Sequence, residues 1–163
     1  MSPTIAELEK ALAAQVAEHR ILLAAVNAHL DAMRTFSLPD ITAAADAVEA
    51  SRGRAVHHEK RRLALMAQVV RTHKLQANVT LAEIAVAVPA HRMSLMRLRD
   101  ELRELTADIA ARTGVSAKVA AAMMGHLNTV VRLVAGAVKT AAVYTKQGQR
   151  TVANRVGVME AVG

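Results

Sequence analysis

The sequence predicts an all-α fold: an elongated antiparallel helical bundle or coiled coil of three long helices plus a short connecting helix, the third being a long C-terminal helix. Three observations predict it. Apolar residues recur in steps of three and four, the spacing that stacks side chains on one face of a helix rather than the alternation of a strand. Only 3 of 163 residues are proline, all at natural helix boundaries. The apolar volume comes from Ala, Val, Leu, Ile and Met, with one Phe, one Tyr and no Trp. That mixture suits thin helix–helix seams better than a thick interior.

The first helix is expected to open at Thr4, with Glu7 three residues on. This is the capping-box pattern, in which each side chain satisfies a free backbone N–H. Its stripe is Ile5, Leu8, Leu12, Val16, His19, Leu23, Val26, Leu30 and Met33. His19 is the one polar member, and the helix should hold about 30 residues.

A turn over 35–39 follows. Ser37 is a good N-cap, Asp40 completes a second capping box, and Pro39 is tolerated in a first turn. The second helix should run to about Lys74 on the stripe Ile41, Ala45, Val48, Ala55, Leu63, Met66 and Val70. The stripe is weak between Arg52 and Arg62, and Gly53 marks a bend or frayed turn there. After a connection at 75–79, Thr80 and Glu83 form a third capping box. It opens a short helix over 81–86 that stops before Pro89.

The long final helix is expected from 90 to 144. Leu95, Leu98, Leu102, Leu105 and Ile109 form its seam, and Ser116, Met123, Val130, Ala137 and Tyr144 carry the phase on at seven-residue steps. Unbroken, it has roughly 55 residues and spans about 80 Å. Gly114 is its weak point, a place for a kink or break. Past Tyr144 the period fades and Gly148, Gly157 and Gly163 appear. The expected organisation is a bundle domain over 1–145 and a flexible tail over 146–163.

Composition excludes several functions. Without Cys there are no disulfides, thiolate nucleophiles or zinc thiolates. Glu7 and Glu9 spoil any signal-peptide pattern. The longest uncharged run, between Lys118 and Arg132, is too short to cross a bilayer. A cytoplasmic protein is expected.

The net charge is +7, unevenly spread: residues 1–51 carry −4, 52–99 carry +8 and 100–163 carry +3. An acidic first helix against a basic second one favours their antiparallel docking. The cluster Arg52, Arg54, Lys60, Arg61 and Arg62 equally fits a nucleic-acid surface or a solvated face. It lacks interleaved aromatics for base stacking. The adjacent His57 and His58 point about 100° apart and cannot easily chelate together. His19 and His126 read as seam or rim positions. No His-Glu-x-x-His motif, glycine-rich phosphate loop, activated nucleophile or paired acids occur. No metal, cofactor or enzymatic activity is expected.

The order of features resembles the FlgN family of flagellar type III export chaperones. The first helix is acidic-faced, followed by the loop Leu38-Pro39-Asp40-Ile41. The second helix carries Glu49-Ala50-Ser51-Arg52 and Glu59-Lys60-Arg61-Arg62-Leu63. Next come the short segment Leu81-Ala82-Glu83-Ile84-Ala85-Val86-Ala87-Val88-Pro89 and a long helix from Leu95-Met96-Arg97-Leu98-Arg99-Asp100-Glu101-Leu102. The ending is Tyr144-Thr145-Lys146-Gln147-Gly148-Gln149. The likeness covers 5–149. Thr113-Gly114-Val115-Ser116-Ala117-Lys118-Val119, where relatives carry asparagines, and the strong basic charge depart from the family pattern.

The resemblance implies a non-catalytic cytoplasmic chaperone. It would grip the helical C-terminal ends of hook–filament junction proteins, keep them unassembled and deliver them to the cytoplasmic domain of the export gate. Tyr144 would be the gate contact, and otherwise caps a bundle end.

Such a chaperone needs an apolar strip for a helix, with anchors at three- and four-residue spacing. Met123, Leu127, Val130, Val131, Val134, Val138 and Ala141 supply one, and Met124 adds an adaptable side chain. Ala135, Gly136, Ala137 and Ala142 permit close approach. The strip equally suits packing on the first helix as core, or self-association into a homo-oligomer. A nucleic-acid-binding bundle and a generic coiled-coil interaction protein are the rival functions.

Overall fold

The structure is a computed structural model. It describes residues 3–76 and 78–141, and the side chains of 4–76 and 78–137. The described residues form α1 (Pro3–Thr35), α2 (Leu38–Thr72), α3 (Leu81–Ala87), a 3₁₀ turn (Pro89–His91) and α4 (Arg92–Ala141). No strand occurs among them, so the all-α expectation holds. The tail at 146–163 lies outside the described residues. The chain divides into two units, Met1–Ala120 and Ala121–Gly163.

In the first unit, α1 and α2 form the close antiparallel pair. One apolar cluster ties the elements together. It joins Ile5, Leu8, Leu12 and Val16 of α1 to Val69 of α2, Leu81, Ile84 and Ala85 of α3, Val88, and Leu95 and Leu98 of α4. Leu102 and Leu105 pack against its edge. Further along α1, Leu22, Val26, Leu30, Ala32 and Met33 are buried. The three-and-four stripe of α1 is therefore its buried face, with Leu23 and His19 half-buried at the margin.

The caps follow the sequence at one of three sites. Thr80 and Glu83 make the full capping box that opens α3: Thr80 N–H and Oγ1–H donate to Glu83 Oε2 at 2.6 and 2.9 Å. In return Thr80 Oγ1 accepts from Glu83 N–H at 3.3 Å. Thr80's backbone bond, then its hydroxyl, hold the Glu83 carboxyl below its ordinary value. Ser37 is the N-cap of α2 but makes no side-chain cap bond. Thr4 is not a cap: α1 already includes Pro3, and Thr4 is buried within the first turn. Only Phe36 and Ser37 separate α1 from α2, a shorter turn than 35–39, with Phe36 at a φ of 56°.

Two glycines expected to weaken helices do not interrupt them. α2 runs through Gly53 and α4 through Gly114. A Cβ added at either would meet nothing within 4 Å. An exposed helical glycine costs at most about 1 kcal/mol, too little on its own to end either helix.

The inner face of α2 corrects the sequence reading. Ser51, Ala55 and Val69 are its buried residues, whereas Leu63 is 51% exposed and Ala45 is exposed. At 100° per residue Leu63 lies about 120° round from Ser51. The expected stripe holds at Ala55, which is buried, and at Met66, which packs on the core, but the other positions meeting α1 between Arg52 and Arg62 are polar. Glu18 of α1, 6% exposed, accepts from Ser51 Oγ at 2.6 Å and from Arg54 Nε at 3.1 Å. One turn away, Gln15 Nε2 donates to Glu59 Oε2 at 2.7 Å, and Arg62 donates to both Glu59 oxygens at 2.9 and 2.6 Å.

Candidate functional site

The strip singled out from the sequence lies on α4. Its spacing follows from the helix: residues 123, 127, 130 and 134 are separated by four, three and four, and so line one side of the cylinder. Val131 stands beside Leu127 and Val134 on the same side. Met123 is half-buried, while Leu127 is 56%, Val130 55%, Val131 63% and Val134 57% exposed. Met124 and Leu133 are exposed as well. Every described side chain over 124–137 is exposed.

The opposite side of this stretch carries Lys118, Asn128 and Arg132 by the same 100° rotation. Isolated exposed apolar residues are ordinary, but a contiguous row on one helix face marks a surface that associates. Within the second unit, Leu127, Val130, Val131 and Val134 are exposed among the described residues.

Val138 and Ala141 continue the row in α4, but their side chains lie outside the described ones. Tyr144, the expected gate contact, lies outside the described residues altogether.

α4 also contains an 18-residue window of mean hydropathy 1.3, none of it buried, long and apolar enough to cross a membrane by length and composition alone. It is longer than the uncharged run between Lys118 and Arg132, which the sequence reading takes as too short to span a bilayer.

Histidine placement is now concrete. His19 Nδ1 meets the Gln15 carbonyl oxygen at 2.9 Å. The His57 and His58 rings stand edge-to-face, 6.1 Å apart. His91 pairs with Glu9 at 3.0 Å, and His126 is exposed. Among the described residues no group of three His, Asp or Glu side chains is placed to hold a metal ion.

The sequence reading missed the buried polar residues of the α1–α2 seam. Gln15, Glu18 and Ser51 are 3%, 6% and 0% exposed. The signal that could have found them was the gap in the α2 stripe. An interval of about three turns with only the small Ala55 on its seam, opposite a Gln and a Glu on the inner side of α1, calls for paired polar groups. Desolvation is the largest single influence on Glu18 and pushes its carboxyl up. The hydrogen bonds from Arg54 and Ser51 and the nearby charges outweigh it, so the net displacement is downward.

The fold and this surface define an all-α helical bundle bearing an open apolar ridge. Compared with known proteins, the chain matches no family model, no curated protein and no solved structure.

Proposed function

We propose that the protein is an export chaperone that holds a partner's helix on the ridge at Met123, Leu127, Val130, Val131 and Val134, extended by Val138 and Ala141. The observation that carries this reading is the contiguous apolar row that α4 leaves exposed. A partner helix laid along it would remove a few hundred Å² of apolar surface from water, at about 25 cal/mol per Å². That favours capture, while the cost of immobilising two molecules keeps it reversible, as delivery requires.

The resemblance to the FlgN family supplies the partner class: the helical C-terminal ends of flagellar hook–filament junction proteins, kept unassembled in the cytoplasm. It also supplies the destination, the cytoplasmic domain of the export gate, with Tyr144 as contact. The role is one of binding, with no catalytic step.

Val134→Asp tests the reading. The side chain is 57% exposed, so a carboxylate there leaves the folded core untouched. Capture of a junction protein should be lost in pull-down while helix content by circular dichroism stays the same. Undiminished capture refutes the assignment.

The rival reading is nucleic-acid binding through α2, where Lys60 and Arg61 are exposed and have no carboxylate partner among the described residues. Tight, salt-steep retention of a duplex in a shift assay would favour it.

A further inference from the structure

A groove of about 910 Å³ lies between α2 and α4 of the first unit, floored by α1. It is separate from the ridge, since its last lining residue is Ala110. We propose that it receives an acidic amphipathic helix from a partner protein.

The shape argues for a helix. Both walls are helices, and α2 and α4 do not close on each other beside it. Ala55 on one wall and Ala107 and Ala110 on the other leave room for a third backbone. A helix lying there would complete a four-helix arrangement in which α1, already covered along its seam, is the far member. His19 is the one ring in the lining, whereas pockets for small organic ligands are rich in aromatics.

The charge argues for acidity. Glu59, the carboxylate in the lining, is saturated by Gln15 Nε2 and by Arg62. Lys60 and Arg103, one on each wall, have no carboxylate partner among the described residues. The open groove is therefore positive at both walls, matched by carboxylates flanking an apolar face.

The probe is a fluorescent peptide of about 18 residues, five helical turns, with Ala and Leu on one face and Glu on both flanks. A twin with Lys for Glu is the control. The full chain should bind the acidic peptide, less well as salt rises, and ignore the twin. The double variant Lys60→Glu/Arg103→Glu should weaken binding about tenfold or more. Ala107→Gln fills one wall without changing charge and should weaken it too. Val134→Asp, on the ridge, should leave it intact. Circular dichroism checks that each variant is folded.

Equal binding by Ala107→Gln overturns the proposal, since the peptide then merely adheres to surface charge. So does an undisturbed double variant, or loss of binding in Val134→Asp. Retention of a DNA duplex by Lys60 and Arg103, with no peptide bound, assigns those cations to nucleic acid and overturns it as well.

Discussion

Glu18 and Ser51 show how a few polar atoms set the face one helix turns toward another. Ser51 is fully buried and bonds Glu18 at 2.6 Å, while Arg54 lies against the same carboxylate and keeps its own side chain half exposed. Removing the carboxylate therefore does not strand a buried cation, because Arg54 can hydrate. The loss is that of charge-assisted hydrogen bonds, about 1–3 kcal/mol. Glu18→Gln should destabilise the protein by that order at neutral pH. The pH dependence follows from the sign of the displacement. The folded-state pKa of Glu18 lies below the ordinary 4.5, so its contribution is complete above that value and is lost as pH falls through the folded one. Glu59, lowered first by the Arg62 hydrogen bond, acts in the same sense. Denaturant unfolding followed from neutral pH to about pH 3 should show wild-type stability falling below pH 4.5, with a shallower fall in Glu18→Gln.

At the scale of elements, α4 joins two kinds of helix surface in one continuous helix. Leu95 and Leu98 are buried in the core, whereas the described side chains beyond Met123 are exposed. An exposed stretch owes its helicity to local propensity and to being continuous with an anchored one, since elongation is far easier than nucleation. Gly114 is one of three glycines in α4, with Gly125 and Gly136, and a Cβ added at Gly114 meets no other atom within 4 Å. Gly114→Ala should raise stability by up to about 1 kcal/mol, seen as a higher unfolding midpoint with unchanged helix content. A lower midpoint would mean that Gly114 serves a conformation other than the straight helix. α3 shows the opposite case. It has only 7 residues, too few to persist alone, and depends on the Thr80–Glu83 box and on burying Leu81, Ile84 and Ala85.

At the scale of the molecule, the core is small and concentrated where α1, the end of α2, α3 and the start of α4 meet. Ile84 is fully buried there. Ile84→Ala removes three carbons from a site reached by several elements and should cost about 2–5 kcal/mol. Domains of this kind hold only about 5–15 kcal/mol in all, so a large drop in the thermal midpoint is expected. A drop within experimental error would mean that α3 is not part of the cooperative core. The charge asymmetry contributes less than the sequence suggests. Of the basic run on α2, Arg54 alone makes an ion pair across to α1 among the described residues, and Arg62 pairs within its own helix. Arg52 likewise pairs within α2, with Glu49 at 3.9 Å, and Lys60 and Arg61 are exposed, where charges add little to folding.

The helical class, the long elements, the stripe of α1, the box at Thr80 and the row from Met123 to Val134 were all legible in the residues, because each depends on near-neighbour spacing along one helix. The continuity of α4 across Gly114, the burial of Ser51 and the exposure of Leu63 on α2, and the groove between Lys60 and Arg103 were not. These depend on contacts between residues far apart in the chain. Glu18 meeting Ser51 selects one of several nearly equivalent helix rotations, and no periodicity within a single segment contains that choice. Whether an apolar row is core or surface is likewise not contained in its spacing; among the described residues, Leu127, Val130, Val131 and Val134 are exposed.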